Sequence, residues 1–205
     1  DVPLDGITSD MMLMYEAYLK ARGVRMNTIS FYMRNLRAVY NRAAEKGLTA
    51  QNYPFRHVYT GVDKTVKRAI PIKSIKALKE MDMAMNSALD FARDMFLFSF
   101  YTRGMSFVDM AYLKKTNLQN GILTYRRRKT GQELSIKWEK CMAEIIAKYP
   151  ENKTVYLLPI IKEKGDERRQ YDNALHLVNY RLKELSIMLK LQRPLTMYVA
   201  RHSWA

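Results

Sequence analysis

The 205-residue chain is 48% hydrophobic, ample for one large or two small packed cores, and is no disordered tail. Its 35 lysines and arginines outnumber its 20 aspartates and glutamates to give a formal charge of +15, a balance that points to a polyanionic partner. One cysteine, three histidines and the lack of an apolar run of spanning length predict no internal disulfide, no metal site and no membrane partner, so a cytoplasmic nucleic-acid-binding protein is the expectation.

Thr8 or Ser9 is placed to cap a first helix in which Met11, Met12, Tyr15, Tyr18 and Leu19 follow the 3.6-residue period, with Gly23 ending it. Asn27 or Thr28 is the expected start of a second helix. It sets Ile29, Tyr32, Met33, Leu36, Val39, Tyr40 and Ala43 on one face, and Arg34, Arg37 and Arg42 mostly opposite. Gly23, Thr28, Ile29 and Tyr32, followed by Leu36, Arg37 and Tyr40, form a pattern that resembles the small helical core-binding domain preceding the catalytic domain in many phage integrases, the tyrosine recombinases. The resemblance implies that Arg25, Thr28 and Arg34 lie against a DNA backbone; the competing reading is a solvated basic face.

From Asn52 to Lys67 the periodicity is lost, and Pro54 and Gly61 suggest a short element followed by a linker. The expected division is a helical domain at 1–60, a linker at 61–70 made basic by Lys64, Lys67 and Arg68, and a second domain at 71–205. A basic strap between two domains suits closure around a duplex, although ordinary solvation also explains its lysines.

Ser74 opens a short helix through Leu78, and Ser87 opens one that is apolar nearly all round, from Leu89 to Phe100, and so is expected to be buried. It leads into Tyr101–Leu113, which resembles the first arginine box of the tyrosine recombinases, Thr-Gly-x-Arg-x-x-Glu-[Leu/Ile]-x-x-Leu. With Asp109 in the glutamate column, Met110 and Leu113 fall into register, but Ser106 takes the arginine column and Arg103 sits one helical turn earlier. The stretch 122–136 reads as a β-hairpin around Thr130-Gly131. Strand alternation puts Arg127 and Lys129 on one side and Arg126 and Arg128 on the other, where DNA contacts are expected. Lys129-Thr130-Gly131 resembles the recombinase hairpin whose lysine serves as general acid, and Arg127 is the substitute expected for the arginine missing at Ser106.

An amphipathic helix is predicted from Glu139 to Tyr149 and a short buried segment at 155–159. A long helix follows, capped by Asp172 or Asn173 and bearing Leu175, Val178, Leu182, Leu185 and Leu189. Thr196 is the expected N-cap of a last helix in which Tyr198 and Arg201, three apart, share a face near a positive helix end. Leu195–Ser203 resembles the second arginine box, Leu-Thr-x-His-x-x-Arg-His-Thr/Ser, with Tyr198 where the family has histidine and His202 grouped with the DNA contacts.

The fold class expected is mainly α with a small β-hairpin or sheet. Phosphodiester transfer needs a nucleophile, a grip on the non-bridging oxygens and a proton for the leaving oxygen. Arginine suits the grip because its planar fork binds two oxygens at once, so Arg201 and either Arg103 or Arg127 are assigned to it, with Lys129 as proton donor and Tyr198 as hydrogen-bond donor. The resemblance implies a site-specific recombinase or integrase of a bacterial mobile element. It would need no cofactor and act as a tetramer on paired duplex sites. The family's attacking tyrosine follows the second box by a few helical turns, so the chain is expected to be a fragment that binds DNA without cleaving it. The alternatives are a degenerate recombinase-like DNA-binding regulator and a basic RNA-binding or scaffold protein.

Overall fold

The computed structural model describes residues 2–65, 68–83 and 85–204. Contacts divide the chain into two compact units, 1–66 and 67–205.

In the first unit, Thr8 Oγ1 accepts the Met11 N–H at 3.2 Å and starts α1, Ser9–Ala21. Gly23, at φ +72°, closes it with the paired terminal bonds Gly23 N–H to Lys20 O and Val24 N–H to Leu19 O. Helix α2, Met26–Glu45, begins earlier than expected, with Arg25 as an N-cap that makes no side-chain cap bond. Asn27 is occupied elsewhere: its Oδ1 accepts the Asp63 N–H at 2.7 Å and its Nδ2 donates to Asp63 O at 3.0 Å, fixing this end of the basic segment. The core joins Met12, Leu19, Ile29, Met33 and Tyr40 to Phe55 and Val58 from the connecting loop. Buried Glu16 accepts the Tyr59 N–H at 2.7 Å and pairs with Lys20, tying the loop to α1. The predicted apolar face of α2 is only partly used: Tyr32, Leu36 and Val39 remain exposed, because the core line runs along Ile29, Met33, Tyr40 and Ala43.

In the second unit, α3 (Ile72–Glu80) and α4 (Ser87–Tyr101) come first, and Asn86 caps α4 by accepting the Leu89 N–H. Ala92, Met95, Phe96 and Phe98 are fully enclosed, so α4 is the buried axis that its composition predicts, packed against two later helices, α7 (Glu167–Met188) and α8 (Met197–Trp204). Between them lie α5 (Phe107–Ala111), the strands β1 (Leu118–Gln119), β2 (Ile122–Arg126) and β3 (Glu133–Lys137), and α6 (Lys140–Ala147). The antiparallel sheet runs β1-β2-β3 with Leu123 opposite Ile136 and Arg126 opposite Glu133. Its alternation buries Leu123, Tyr125 and Ile136 and leaves Arg126 and Glu133 exposed.

Helix α7 starts well before the predicted cap at Asp172 or Asn173. Asp166, itself at φ +39°, caps it by accepting the Arg169 N–H, and Asp172 instead pairs with Arg168 one turn back. Val155, expected inside, is exposed, while its neighbours Tyr156 and Leu158 are buried. Among the described residues there is no helix long and apolar enough to cross a membrane and no cluster of metal-ligating side chains.

Candidate active site

The site is built where the end of α4 meets α8. Helix α4 closes with Arg103 N–H on Phe100 O and Gly104 N–H on Ser99 O, which puts Arg103 in the left-handed position that usually falls to glycine, at φ +58°. Gly104 follows at φ +74°, and a Cβ there would lie 2.9 Å from the Arg201 Cα. The glycine is therefore required twice, by its backbone angle and by the approach of α8. Across this contact the Arg201 Nε donates to Gly104 O at 2.6 Å. Arg201 is half-buried, and among the described residues its two terminal nitrogens have no hydrogen-bond partner, so its fork is anchored by one donor with the others left for an anion.

Ser106 caps α5: its hydroxyl donates to Asp109 Oδ2 and accepts the Asp109 N–H. The other carboxylate oxygen of the buried Asp109 accepts the Arg128 N–H at 2.9 Å. One side chain thus ties the hairpin loop to the helix that follows Gly104. Tyr125, buried at the end of β2, reports on the charges around it. Burial pushes its phenol up to about 12, Asp109 adds to the rise, and Arg127 and Arg201 oppose it, which places both arginines within electrostatic reach of one hydroxyl.

The strand alternation predicted for the basic run stops short of Lys129. Strand β2 ends at Arg126; Arg127 N–H bonds Gln132 O and Gly131 N–H bonds Arg127 O, leaving residues 128–131 as the loop, with Gly131 at φ +69°. Lys129 stands exposed in this loop, and Arg127 is half-buried. Arg128, expected to point away toward DNA, lays its guanidinium over the Tyr112 ring at 4.0 Å. Arg126 pairs across the strands with Glu133 at 3.1 Å.

On α8, the backbone N–H of Met197 goes to Asn179 Oδ1 of α7 at 2.9 Å, so the helix start is held from a neighbouring helix, and among the described residues the Thr196 side chain makes no hydrogen bond. Arg201 sits in the last turn of this eight-residue helix, so the positive helix end expected to assist it is not beside it. Tyr198 is exposed, and its ring meets His202 edge-on at 4.5 Å. Tyr198, Arg201, Ser106 and Tyr171 border a cleft of about 230 Å³. Arg103, at the left-handed turn, is exposed.

The remaining sequence-selected residues lie elsewhere. Arg25, Thr28 and Arg34 are on the first unit, the Arg34 Nε donating to Ser30 O. Lys64 and Arg68 are exposed, and Lys67 falls outside the described residues. Ile70 N–H bonds Ser203 Oγ at 3.0 Å, so the chain entering the second unit is pinned to α8.

Residues 1–58 match the phage integrase SAM-like domain. The whole chain superposes on lambda integrase (residues 75–356), determined as a dimer bound to a COC′ core site, with a TM-score of 0.74 at 14% identity, covering 100% of this chain and 71% of that one. It also superposes on the Tn1549 transposon integrase (residues 82–397) in complex with circular intermediate DNA (0.67, 14%, 98% and 72%) and on a lambda integrase tetramer bound to a Holliday junction (0.66, 14%, 98% and 59%). The chain has the integrase fold. None of the curated proteins matches it. Within the integrase fold, the residues that sequence reasoning missed are those that position others: Tyr112 under Arg128, Asn179 at the start of α8, and Gly104 against Arg201. Only Gly104 left a signal, as the glycine of the first arginine box.

Proposed function

We propose that this chain is the DNA-binding and phosphate-gripping part of a tyrosine recombinase that cuts and rejoins duplex DNA at specific sites of a mobile element through a 3′-phosphotyrosyl link. The observation that carries the reading is the convergence at the Gly104 turn. Arg201 is locked to it by a 2.6 Å hydrogen bond, and Asp109 ties the loop that follows Arg127 and holds Lys129 to the segment just after it. The integrase fold and the +15 charge support it.

In this reading Arg201 holds the non-bridging oxygens of the scissile phosphate. Arg127 supplies the second guanidinium, favoured over Arg103 because it is half-buried beside the loop that Asp109 ties to the segment after Gly104, whereas Arg103 is exposed. Lys129, exposed in the hairpin loop, donates a proton to the leaving oxygen, and Tyr198 donates a hydrogen bond to the phosphate. The first unit is the core-binding domain and the second the catalytic one, with Arg25, Thr28, Arg34, Arg68, Arg126 and His202 adding backbone contacts and paired sites occupied by a tetramer. The attacking tyrosine is none of those in these 205 residues, so this polypeptide alone binds duplex DNA without forming a covalent adduct.

In a protein that includes these residues together with the attacking tyrosine, Arg201→Ala removes a transition-state contact worth about 3 kcal/mol and slows strand cleavage roughly 100-fold. Unchanged cleavage contradicts the assignment. Ser106 in the arginine column, with its hydroxyl engaged by Asp109, favours a second reading, a non-cleaving DNA-bound regulator. That reading requires DNA affinity with no adduct from any longer form.

A further inference from the structure

The first unit carries a recess of about 410 Å³, bordered by Arg37 and Asn41 of α2 and by residues 51 and 53–56 of the loop after it. Two arginines, Arg37 and Arg56, line it, and no carboxylate does. Among the described residues neither guanidinium has an ion pair or hydrogen bond, so two like charges share a concavity with nothing to neutralise them.

The recess is built on fixed parts. Phe55 at its floor is buried in the core of the unit and packs against the Tyr40 ring at 6.0 Å. Its rim is a hydrogen-bonded chain: Gln51 Nε2 donates to Asn41 Oδ1 at 3.1 Å, and the Tyr53 N–H donates to Gln51 Oε1 at 3.1 Å. Tyr53 is held at φ +49°, a backbone angle that costs a non-glycine residue roughly 1–2 kcal/mol, and the residue is 68% exposed where it lines the recess with the two arginines. The recess also lies on the flank of α2 that bears Arg34, since positions 34, 37 and 41 follow the helical repeat.

We infer that this recess is a phosphodiester-binding subsite for duplex DNA. Arg37 and Arg56 each grip a backbone phosphate, and the exposed Tyr53 ring packs on the sugar between them. The inference rests on the proposed DNA-binding function and adds to it a site that joins Arg37, part of the helical pattern, to Arg56 and Tyr53, which no sequence motif marked. Guanidinium forks suit phosphate oxygens, and a strained, exposed tyrosine beside them adds contact area without added charge.

The test is binding of the full chain to duplex DNA over a range of salt concentrations. Each lost phosphate contact reduces the slope of log affinity against log salt by about 0.9, so replacing both arginines by glutamine reduces it by about 1.8. Arg37→Gln/Arg56→Gln is expected to fold normally, because both side chains are exposed and unpaired. Lysine at both positions keeps the slope while weakening binding, since charge is retained and the fork is lost. As a control for charge alone, Arg22→Gln/Lys46→Gln removes two exposed cations elsewhere on the unit and is expected to reduce the slope by less than half as much. A wild-type slope in the arginine double variant, or an equal drop in the control, overturns the subsite while leaving DNA binding in place. A wild-type chain with no salt-dependent affinity for DNA overturns both.

Discussion

At Gly104, two demands meet in one residue. Its left-handed angle and the 2.9 Å approach of Arg201 Cα leave no room for a methyl group, so Gly104→Ala is expected to cost about 2–4 kcal/mol and shift α8, read as a lower melting temperature. Arg103 next to it is the converse case, a side chain kept at a glycine-favouring position. Arg103→Gly should therefore stabilise the fold by about 1 kcal/mol in a denaturant titration, and a loss of stability would show that the arginine holds the turn together. Glu16 gives a pH-dependent case. Burial raises its carboxyl pKa, but the hydrogen bonds from Lys20 and the Tyr59 N–H outweigh it, and the net shift is downward. A depressed folded-state value means that the stabilisation is complete above the unfolded value near 4.3 and is lost as pH falls through the folded one. Glu16→Gln should therefore flatten the acid limb of the stability curve below about pH 4.3, and an unchanged limb would remove Glu16 from the account.

Among the elements, the hairpin loop shows how a strand-level expectation fails at a strand's end. Alternation holds from Ile122 to Arg126, but the four-residue loop after Arg127 re-aims each later side chain, which is why Arg128 meets Tyr112. What orients this loop is the bond from the Arg128 N–H to Asp109, a contact between residues 19 apart that no local pattern displays. Asp109→Asn keeps the shape but weakens both of its hydrogen bonds, so amide exchange at Arg128 should quicken by at least tenfold while the α4 amides keep their protection. Equal protection in the variant would mean that the loop holds itself. The start of α7 was hidden for another reason: Glu167–Gln170 is polar throughout, so its first turn carries no apolar period, and only the cap at Asp166 marks it.

Over the whole molecule, the parts legible in the sequence were those governed by local rules. Thr8, Gly23 and the apolar run of α4 identify their elements because capping and periodicity act within a few residues. Tyr32, Leu36 and Val39 look like core residues by the same rules yet stay exposed, because burial depends on which neighbours arrive. The grouping around Arg201 was legible only as two motifs far apart in the chain, and the turn that joins them, Arg103-Gly104, showed its purpose only when α8 was seen against it.

The most direct test is covalent capture on a nicked duplex by a protein that includes these 205 residues together with the attacking tyrosine, compared with its Arg201→Ala form. A protein–DNA adduct at one strand position, diminished roughly 100-fold by the substitution, is the predicted result. An adduct formed equally well without Arg201, or no adduct from either protein, would contradict the assignment of this site to DNA strand transfer.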